Sequence, residues 1–195
     1  MRGPRRIAGR SYVTQMRPAL TVALMLIVGL AATSEAAQRR VQFGPPASEV
    51  AFRAYGLGML PIDSKFGQFT GSLTYDPDDL ASCRVELQAQ VASLVTDDTS
   101  LRSTIIGPEF MDVARFPALT YAGTCAAKGL GGDLAMHGVT RPFDLSLTWG
   151  KEAVVAEGRL VRADWGMTAM SVLGGRTVRI RVTVPLVGSS QNAEK

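Results

Sequence analysis

Apolar and polar residues alternate along much of the chain, most clearly in residues 82–91, 143–149 and 177–186. In 82–91 every apolar side chain falls on one face, and every charged or amide side chain falls on the other. Successive side chains of a strand point to opposite faces, so this period predicts strands with one buried face. Weaker copies bring the predicted number of strands to eight; they occupy residues 49–55, 68–75, 119–125, 134–136 and 154–160.

Two segments interrupt the alternation. Residues 96–113 lack it, and the Asp-Asp-Thr sequence at 97–99 is typical of a helix start, so we predict a helical excursion between the third and fourth strands. Pro108-Glu109 predicts a second short helix in the same segment. Residues 164–170 predict another brief helical turn.

Turn-forming residues separate most of the predicted strands. One-sided antiparallel strands in one domain must bury their apolar faces together, which leaves a closed up-and-down barrel or a two-sheet sandwich. The predicted turns are Asp76-Pro77-Asp78-Asp79, Lys128-Gly129 with Gly131-Gly132, Arg141-Pro142 and Leu173-Gly174-Gly175.

The first 36 residues have the composition of a targeting segment. Arginines precede an apolar run of fourteen residues at 19–32, which is shorter than the roughly 20 residues of a membrane-spanning helix. Ser34-Glu35-Ala36 has small residues at its first and last positions, so we expect a signal peptide cleaved after Ala36 and export from the cytoplasm. An uncleaved anchor is the alternative, and Met16 offers a second translation start.

This leader also holds the excess positive charge. The chain has 21 basic and 17 acidic residues, and removing 1–36 takes away five arginines and one glutamate, which leaves 16 of each. A neutral domain lacks the basic surface that nucleic acids or anionic membranes attract. The remaining 159 residues suit one domain, which we place at 37–188, followed by a flexible tail at 189–195.

The two cysteines are predicted to lie close together. Cys83 begins one predicted strand and Cys125 ends the next, and in an antiparallel pair those two ends are neighbours. A disulfide is therefore expected, and export permits it. Two buried free thiols are the alternative, and the absence of a C-x-x-C motif argues against redox catalysis.

Candidate catalytic and metal-binding residues are few. His137 is the only histidine, and we expect it in a solvated turn. No cluster of ligands suits zinc, and the aspartates at 76–79 are interpreted as a turn because Pro77 spoils a calcium loop. Arg162 and Asp164 are expected to form a structural ion pair near the barrel mouth, with a ligand clamp as the alternative.

The apolar faces mix large and small side chains. Phe52 and Trp149 share these faces with Ala156 and Gly158. Small inward residues leave volume, and a barrel of about eight strands is just wide enough for its own side chains or one small ligand. On the pattern alone, a ligand cavity and a collapsed core are equally compatible with the sequence.

Several short motifs resemble those of the YceI-like family. The longest is Gly-Asp-Leu-Ala-Met-His-Gly-Val-Thr-Arg-Pro at 132–142, which matches the family pattern G-x-L-x-x-x-G-V-T-(K/R)-P. The likeness covers roughly residues 50–187. The other matching pieces follow in the family's order: Phe66-Gly67-Gln68-Phe69-Thr70-Gly71, Tyr75-Asp76-Pro77, Ser93-Leu94-Val95-Thr96, Phe110, Phe116-Pro117 and Arg162-Ala163-Asp164-Trp165-Gly166.

The resemblance implies a lipocalin-like antiparallel barrel, exported to the periplasm or beyond, with a polyisoprenoid or similar amphiphile inside. Two departures concern the polar end of that ligand. Gly56 stands where relatives often carry a histidine, and residues 99–106 are mostly neutral where relatives are often charged. We therefore expect the head group to be recognised differently here.

These observations together predict an all-β, eight-stranded lipocalin-like barrel that carries a polyisoprenoid or other long-chain lipid. The ligand would be an isoprenoid quinone or a polyprenol, with no metal, no other cofactor and no nucleic acid. A transient membrane or membrane redox partner and a homodimer are compatible with this hypothesis. The alternatives are a stress-related barrel with a filled interior, and a lipid- or isoprenoid-modifying enzyme that uses Asp164, Arg162 or Tyr121 as acid–base groups.

The residues expected to contact the ligand share the apolar, inward face of the predicted strands. Gly158→Phe is expected to block the pocket and to leave the fold intact. The predicted contact residues are Phe52, Phe69, Leu73, Tyr75, Val85, Leu87, Ala89, Leu119, Tyr121, Met136, Leu147, Trp149, Gly158 and Val182.

Overall fold

The computed structural model describes residues 38–56, 60–126, 129–169 and 175–186. The predicted signal peptide, the cleavage site after Ala36, the alternative start at Met16 and the tail at 189–195 lie outside the described residues. Strands dominate the described part of the chain. Their bounds are β1 (Arg39–Phe43), β2 (Glu49–Gly56), β3 (Leu60–Phe66), β4 (Phe69–Tyr75), β5 (Arg84–Gln90), β6 (Leu94–Thr96), β7 (Ala118–Ala126), β8 (Gly129–Met136), β9 (Val139–Trp149), β10 (Ala153–Val161) and β11 (Thr177–Pro185).

The strands form one antiparallel sheet that curls on itself, in the order β1-β4-β5-β7-β8-β9-β10-β11-β2-β3-β6. Two long strands bend at a corner and contribute to both ends of this order. β3 continues into β4 through Gly67-Gln68, and β5 continues into β6 through the 3₁₀ turn Val91–Ser93. The amide of Gly67 donates to the carbonyl of Ser93 at 2.9 Å, and Gln90 donates to Gln68 at 3.0 Å, so the bent strands stay paired at the corner.

The all-β, antiparallel prediction is confirmed, whereas the strand count is wrong. The eight predicted strands correspond to β2, β4, β5 and β7 to β11, and the described part of the chain has eleven. The pattern missed β1, β3 and β6, which are short or hold few apolar residues. In β3, Pro61, Asp63 and Lys65 occupy one face, and only Ser64 and Phe66 are buried on the other. Counting each bent strand once, and leaving out β1 at the edge, restores eight.

The helical excursion contains one α-helix, α1 (Thr99–Ile106), where the sequence predicts it. The carboxylate of Asp98 caps it by accepting from the amides of Ser100 at 2.8 Å and Leu101 at 3.2 Å. The second helix predicted at Pro108 is wrong. Turns follow α1 instead, and Asp112 has a left-handed φ of 44°, which a continuing helix does not allow. No helix in the described residues has the length and apolar character needed to span a bilayer.

Two predicted turns are in fact parts of strands. Gly131 and Gly132 lie in β8, and a Cβ on Gly132 would overlap the carbonyl oxygen of Ala122 on β7. These glycines therefore allow a close approach of two strands rather than a reversal of the chain. Arg141-Pro142 lies in β9, and the turn between β8 and β9 is His137-Gly138, where both residues have positive φ. The predicted turn at 173–175 lies largely outside the described residues.

Cys83 and Cys125 form a disulfide whose Cα atoms are 4.8 Å apart. The bond joins the residue before β5 to the penultimate residue of β7, because these antiparallel strands place the start of one beside the end of the other. The amide of Cys125 also donates to the carbonyl of Cys83 at 2.8 Å.

Candidate functional site

The inward faces of the strands enclose an apolar cavity of about 610 Å³. Its volume falls within the roughly 300–1,000 Å³ of small-molecule sites, and an apolar cavity of about 150 Å³ already holds benzene. Nearly all of the residues around it are apolar, and the polar exceptions are Asp98, Ser100, Thr104, Tyr121 and Arg162. An interior of this kind favours a largely hydrocarbon ligand.

Several inward side chains are only half buried, although they follow the alternation of the strands. Val85 and Leu87 on β5, Leu147 on β9 and Ile180 on β11 are examples. All four line the cavity, so solvent reaches them from inside the barrel. A filled barrel would bury every inward residue of these strands, and this observation therefore disfavours the collapsed-core alternative.

One wall of the cavity comes from the segment between β6 and β7. Leu101 and Ile105 on α1 face the cavity, as do Phe110 and Met111 in the turns that follow. None of the four belongs to a strand. Strand alternation carries no information about this segment, so the predicted ligand contacts do not include these residues.

The cavity is elongated along β10. Trp149 pairs with Val154 near the start of β10, and Arg162 follows its last residue. Both Trp149 and Arg162 line the cavity. Eight residues of strand, at about 3.3 Å each, place Val154 and Arg162 about 25 Å apart along β10. The two ends differ in chemistry: the indole packs on Tyr75 at 5.2 Å between ring centroids, whereas the other end has a guanidinium.

Arg162 is the one buried arginine among the described residues, with 6 % of its surface exposed. Its Nε donates to the carbonyl of Gly175 at 2.9 Å, and its Nη1 donates to Ala169 at 3.4 Å. The guanidinium carbon lies 5.0 Å from the centroid of the Phe110 ring. Burial lowers the pKa of Arg162 from its ordinary value, because the surroundings disfavour the charged form.

The predicted ion pair between Arg162 and Asp164 is wrong. Asp164 points to the surface, where it pairs with Arg141 of β9 at 3.6 Å. The two residues belong to the 3₁₀ turn Arg162–Trp165, and only Arg162 and Trp165 of that turn are buried. The turn therefore separates the two charges, so a single acid–base site cannot use both of them.

Tyr121 lines the cavity with a phenol that is already bonded. Its hydroxyl donates to the carbonyl of Phe143 at 3.1 Å and lies 3.4 Å from that of Leu130. Burial, with smaller contributions from Asp144 and Asp133, raises the pKa of Tyr121 to about 12. The phenol therefore stays protonated at neutral pH, which makes it a poor general base.

His137 lies in a turn, as expected; it is half-buried there, and Gly138 next to it is exposed. Its Nδ1 is 2.9 Å from the carbonyl oxygen of Trp165, so this nitrogen carries the hydrogen. Its ring lies 4.9 Å from that of Phe116 in an edge-on arrangement. His137 thus connects the β8–β9 turn to the 3₁₀ turn. No trio of His, Cys, Asp or Glu in the described residues is grouped as a metal site would require.

Of the fourteen predicted contact residues, ten line the cavity. Their contact with a ligand stays a prediction. They are Phe52, Leu73, Val85, Leu87, Leu119, Tyr121, Met136, Leu147, Trp149 and Val182.

The other four predicted residues do not reach the cavity surface. Phe69 and Ala89 pair across β4 and β5 and are buried in the packed core, and Tyr75 lies behind Trp149. Gly158 is covered, because a Cβ there would lie 2.6 Å from Leu145 Cδ2 and 2.9 Å from Phe143 Cζ. Gly158→Phe would therefore disturb the packing of β9 on β10, and the expectation that it blocks the pocket without affecting the fold does not suit this geometry.

Comparisons with known proteins agree with this architecture. The family model of the YceI-like domain matches residues 42–186. A UPF0312 protein of Vibrio vulnificus is 27 % identical over 165 residues, which cover 76 % of this chain and 86 % of that protein. Protein YceI of Salmonella arizonae is 26 % identical over 157 residues, covering 73 % and 81 %.

Two solved structures share the fold. The crystal structure of BcnA from Burkholderia cenocepacia superposes with a TM-score of 0.60 at 16 % identity, covering 70 % of this chain and 94 % of that one. A polyisoprenoid binding domain from Saccharophagus degradans, described as implicated in plant cell wall breakdown, has a TM-score of 0.55 at 13 % identity, covering 74 % and 97 %.

The matched residues span nearly all of the described sheet, from β1 into the last residues after β11. The motifs noted in the sequence fall on elements that shape the cavity: 132–142 covers β8, its turn and the start of β9, and Arg162 begins the 3₁₀ turn at the end of β10. The chain belongs to the YceI-like family.

Proposed function

We propose that this protein is an exported carrier that holds a polyisoprenoid, or another long-chain amphiphile, inside its barrel. The observation that carries the proposal is the elongated apolar cavity of about 610 Å³. Burying a chain of about twenty carbons gains roughly 0.8 kcal/mol per CH₂. Association takes back about 4–15 kcal/mol, so useful affinity remains without any catalytic group.

Similarity to a solved domain described as polyisoprenoid binding supports this ligand class. At 13 % identity it supports the fold directly and the ligand only by analogy. An isoprenoid quinone or a polyprenol is the expected occupant. Such molecules are poorly soluble in water, so exchange with a membrane or with a membrane redox protein is part of the proposal.

Export rests on the leader at 1–36, with its arginines, short apolar run and small residues before Ala37. The disulfide between Cys83 and Cys125 is consistent with an oxidising compartment such as the periplasm. Cell fractionation with N-terminal sequencing of the mature protein tests this part. A cytoplasmic protein that keeps residues 1–36 would contradict it.

Mass spectrometry of organic extracts tests the carrier function. The domain 37–195 is purified from a host that exports it, and a stoichiometric long-chain species is the expected result. If the extract is empty, the protein is offered a quinone and a polyprenol, and uptake of either would still support the proposal. An empty extract with no uptake of either lipid would contradict it.

An enzyme that modifies the lipid is disfavoured by the geometry of its three candidate groups. Tyr121 is bonded to the backbone, Asp164 is paired with Arg141 on the surface, and Arg162 lines the cavity near Phe110. General acid–base catalysis requires the acid and the base to be within hydrogen-bond reach of one substrate atom. The structure separates Asp164 from the interior, so this requirement is not met.

A further inference from the structure

Arg162 presents a buried positive charge to the cavity, and no carboxylate neutralises it within the described residues. Among the described residues that line the cavity, Asp98 is the only acidic one, and its carboxylate caps α1 through Ser100 and Leu101. An isolated buried charge costs considerable free energy unless a partner compensates it. The positive charge of Arg162 therefore has no acidic partner among the described residues at this end of the cavity.

The guanidinium also has donors that no described residue accepts. Arginine carries five N–H groups, and the bonds to Gly175 and Ala169 use only two of them. Nη2 has no hydrogen-bond partner among the described residues. Arg162 is 6 % exposed and lines the cavity, so its guanidinium lies beside the ligand space. The planar guanidinium holds its N–H groups in a fork, and this geometry suits two oxygens of a carboxylate or phosphate.

The position of Arg162 makes it an end group of the cavity rather than part of its wall. It lies about 25 Å along β10 from the residue that pairs with Trp149, on the estimate of about 3.3 Å per strand residue. Apolar side chains occupy the path between the two ends, including Leu147, Ala156 and Leu160. A ligand with one polar end and a long apolar tail matches this distribution.

We propose that the ligand has an anionic head group, a carboxylate or a phosphate, whose oxygens pair with the guanidinium of Arg162 while the tail extends toward Trp149. This inference rests on the proposed carrier function and, among long-chain amphiphiles, favours an acid or a polyprenyl phosphate over the neutral quinone or polyprenol named above. Arg162 would also recognise the polar end of the ligand where residues 99–106 do not. That segment carries a single charge, Arg102, whose guanidinium donates to the carbonyls of Leu94 and Ala92.

The experiment compares probes that share a tail and differ in the head. Geranylgeranyl monophosphate is compared with geranylgeraniol, and palmitate with 1-hexadecanol, by equilibrium binding to the wild-type domain. We expect each acid to bind at least about tenfold more tightly than its alcohol, the contribution typical of a hydrogen bond to a charged group. The two pairs also distinguish phosphate from carboxylate.

Arg162→Gln is the test variant, and Arg159→Gln is the matched control, because Arg159 lies three residues earlier on the exposed face of β10. The preference for the acids should vanish in Arg162→Gln, with alcohol binding retained, and should persist in Arg159→Gln. Arg162→Lys keeps the charge without the fork and should retain part of the preference. Equal binding of acid and alcohol by the wild type, or an unchanged preference in Arg162→Gln, would overturn the inference.

A measurement on the wild type alone covers the case in which Arg162→Gln does not fold. With ¹³C-carboxyl palmitate, the bound carboxyl should titrate at lower pH than the carboxyl of palmitate in neutral detergent micelles. An unshifted or raised titration would overturn the inference. If neither acids nor alcohols bind, the carrier function itself fails, whereas binding of alcohols alone refutes only the anionic head group.

Discussion

The ionisation of a polar residue inside the barrel depends on the groups that it contacts directly. Tyr121 is buried and donates to a backbone carbonyl, so its ionised form is strongly disfavoured. Arg162 is buried with two backbone carbonyls and no acidic partner in the described residues. Both residues are acid–base candidates by residue type, because residue type alone does not reveal which oxygen a donor meets.

The raised pKa of Tyr121 predicts a loss of folding stability at alkaline pH. Its pKa of about 12 in the folded protein exceeds the ordinary value of 10.0, so its contribution is complete below pH 10 and is lost between pH 10 and 12. The expected loss is on the order of 1 kcal/mol of unfolding free energy per pH unit. Urea unfolding at pH 8 and pH 11 should show a smaller drop for Tyr121→Phe than for the wild type. Equal drops would contradict the assignment.

Elements of secondary structure form where local patterns agree with their neighbours. α1 begins at a carboxylate cap, and the long bent strands follow the alternation on both sides of their corner. β3 and β6 are not among the predicted strands, because a corner breaks the alternation into pieces of few residues. The partners across the sheet, rather than their own patterns, determine that these pieces are strands.

The cap of α1 predicts a local effect on the cavity wall. Asp98→Ala removes the acceptor for the amides of Ser100 and Leu101, so amide hydrogen exchange should accelerate across Thr99–Ile106. Because Leu101 and Ile105 line the cavity, bound lipid should also dissociate faster. Asp97→Ala is the control, since the neighbouring carboxylate does not cap the helix. Unchanged exchange in α1 for Asp98→Ala would refute the role of the cap.

The disulfide between β5 and β7 predicts an effect on the stability of the whole sheet. Cys83 and Cys125 are 42 residues apart, and the loop-entropy model gives about 4 kcal/mol for a loop of that size. The double variant Cys83→Ala, Cys125→Ala should lower the unfolding free energy by an amount of this order in guanidinium titrations. Reduction of the wild type with dithiothreitol should produce a similar loss. A change below about 1 kcal/mol in both experiments would show that the bond contributes little.

The cavity is a property of the whole molecule, since strands from every part of the described chain contribute to it. Some of the residues that line it are only partly buried, as Leu87 and Ile180 illustrate. A protein that keeps such apolar surface exposed inside should be stabilised when a ligand covers it. Ligand binding and folding stability are therefore coupled in this domain.

A substitution that fills the cavity should abolish the stabilisation of the fold by the ligand. Ala156 lines the cavity between Leu147 of β9 and Val182 of β11, so Ala156→Phe should occupy ligand space while keeping a strand-forming side chain. At a ligand concentration of about 100 Kd, the wild type should gain about 2.7 kcal/mol. Thermal unfolding with geranylgeraniol should show this shift for the wild type and for Ala122→Phe, a control on the exposed face of β7. An equal shift for Ala156→Phe would refute the cavity as the binding site.

Alternation, turn residues and cysteine parity are local properties, so the sequence sufficed to predict the antiparallel β class, most strands, the helical excursion and the pairing of Cys83 with Cys125. Motifs in a shared order sufficed for the family. The same parity placed ten predicted residues on the cavity wall, because a strand with one buried face must turn its apolar side chains inward.

Features that depend on distant partners required the tertiary structure. Gly158 has the right parity but lies beneath Phe143 and Leu145, and Phe110 enters the cavity from a turn that has no period at all. Arg162 and Asp164 are two residues apart, yet a 3₁₀ turn sends one into the cavity and the other to Arg141 on the surface. Parity specifies which face a side chain takes, whereas only the packing of other elements decides whether that face meets a neighbour, open space or a ligand.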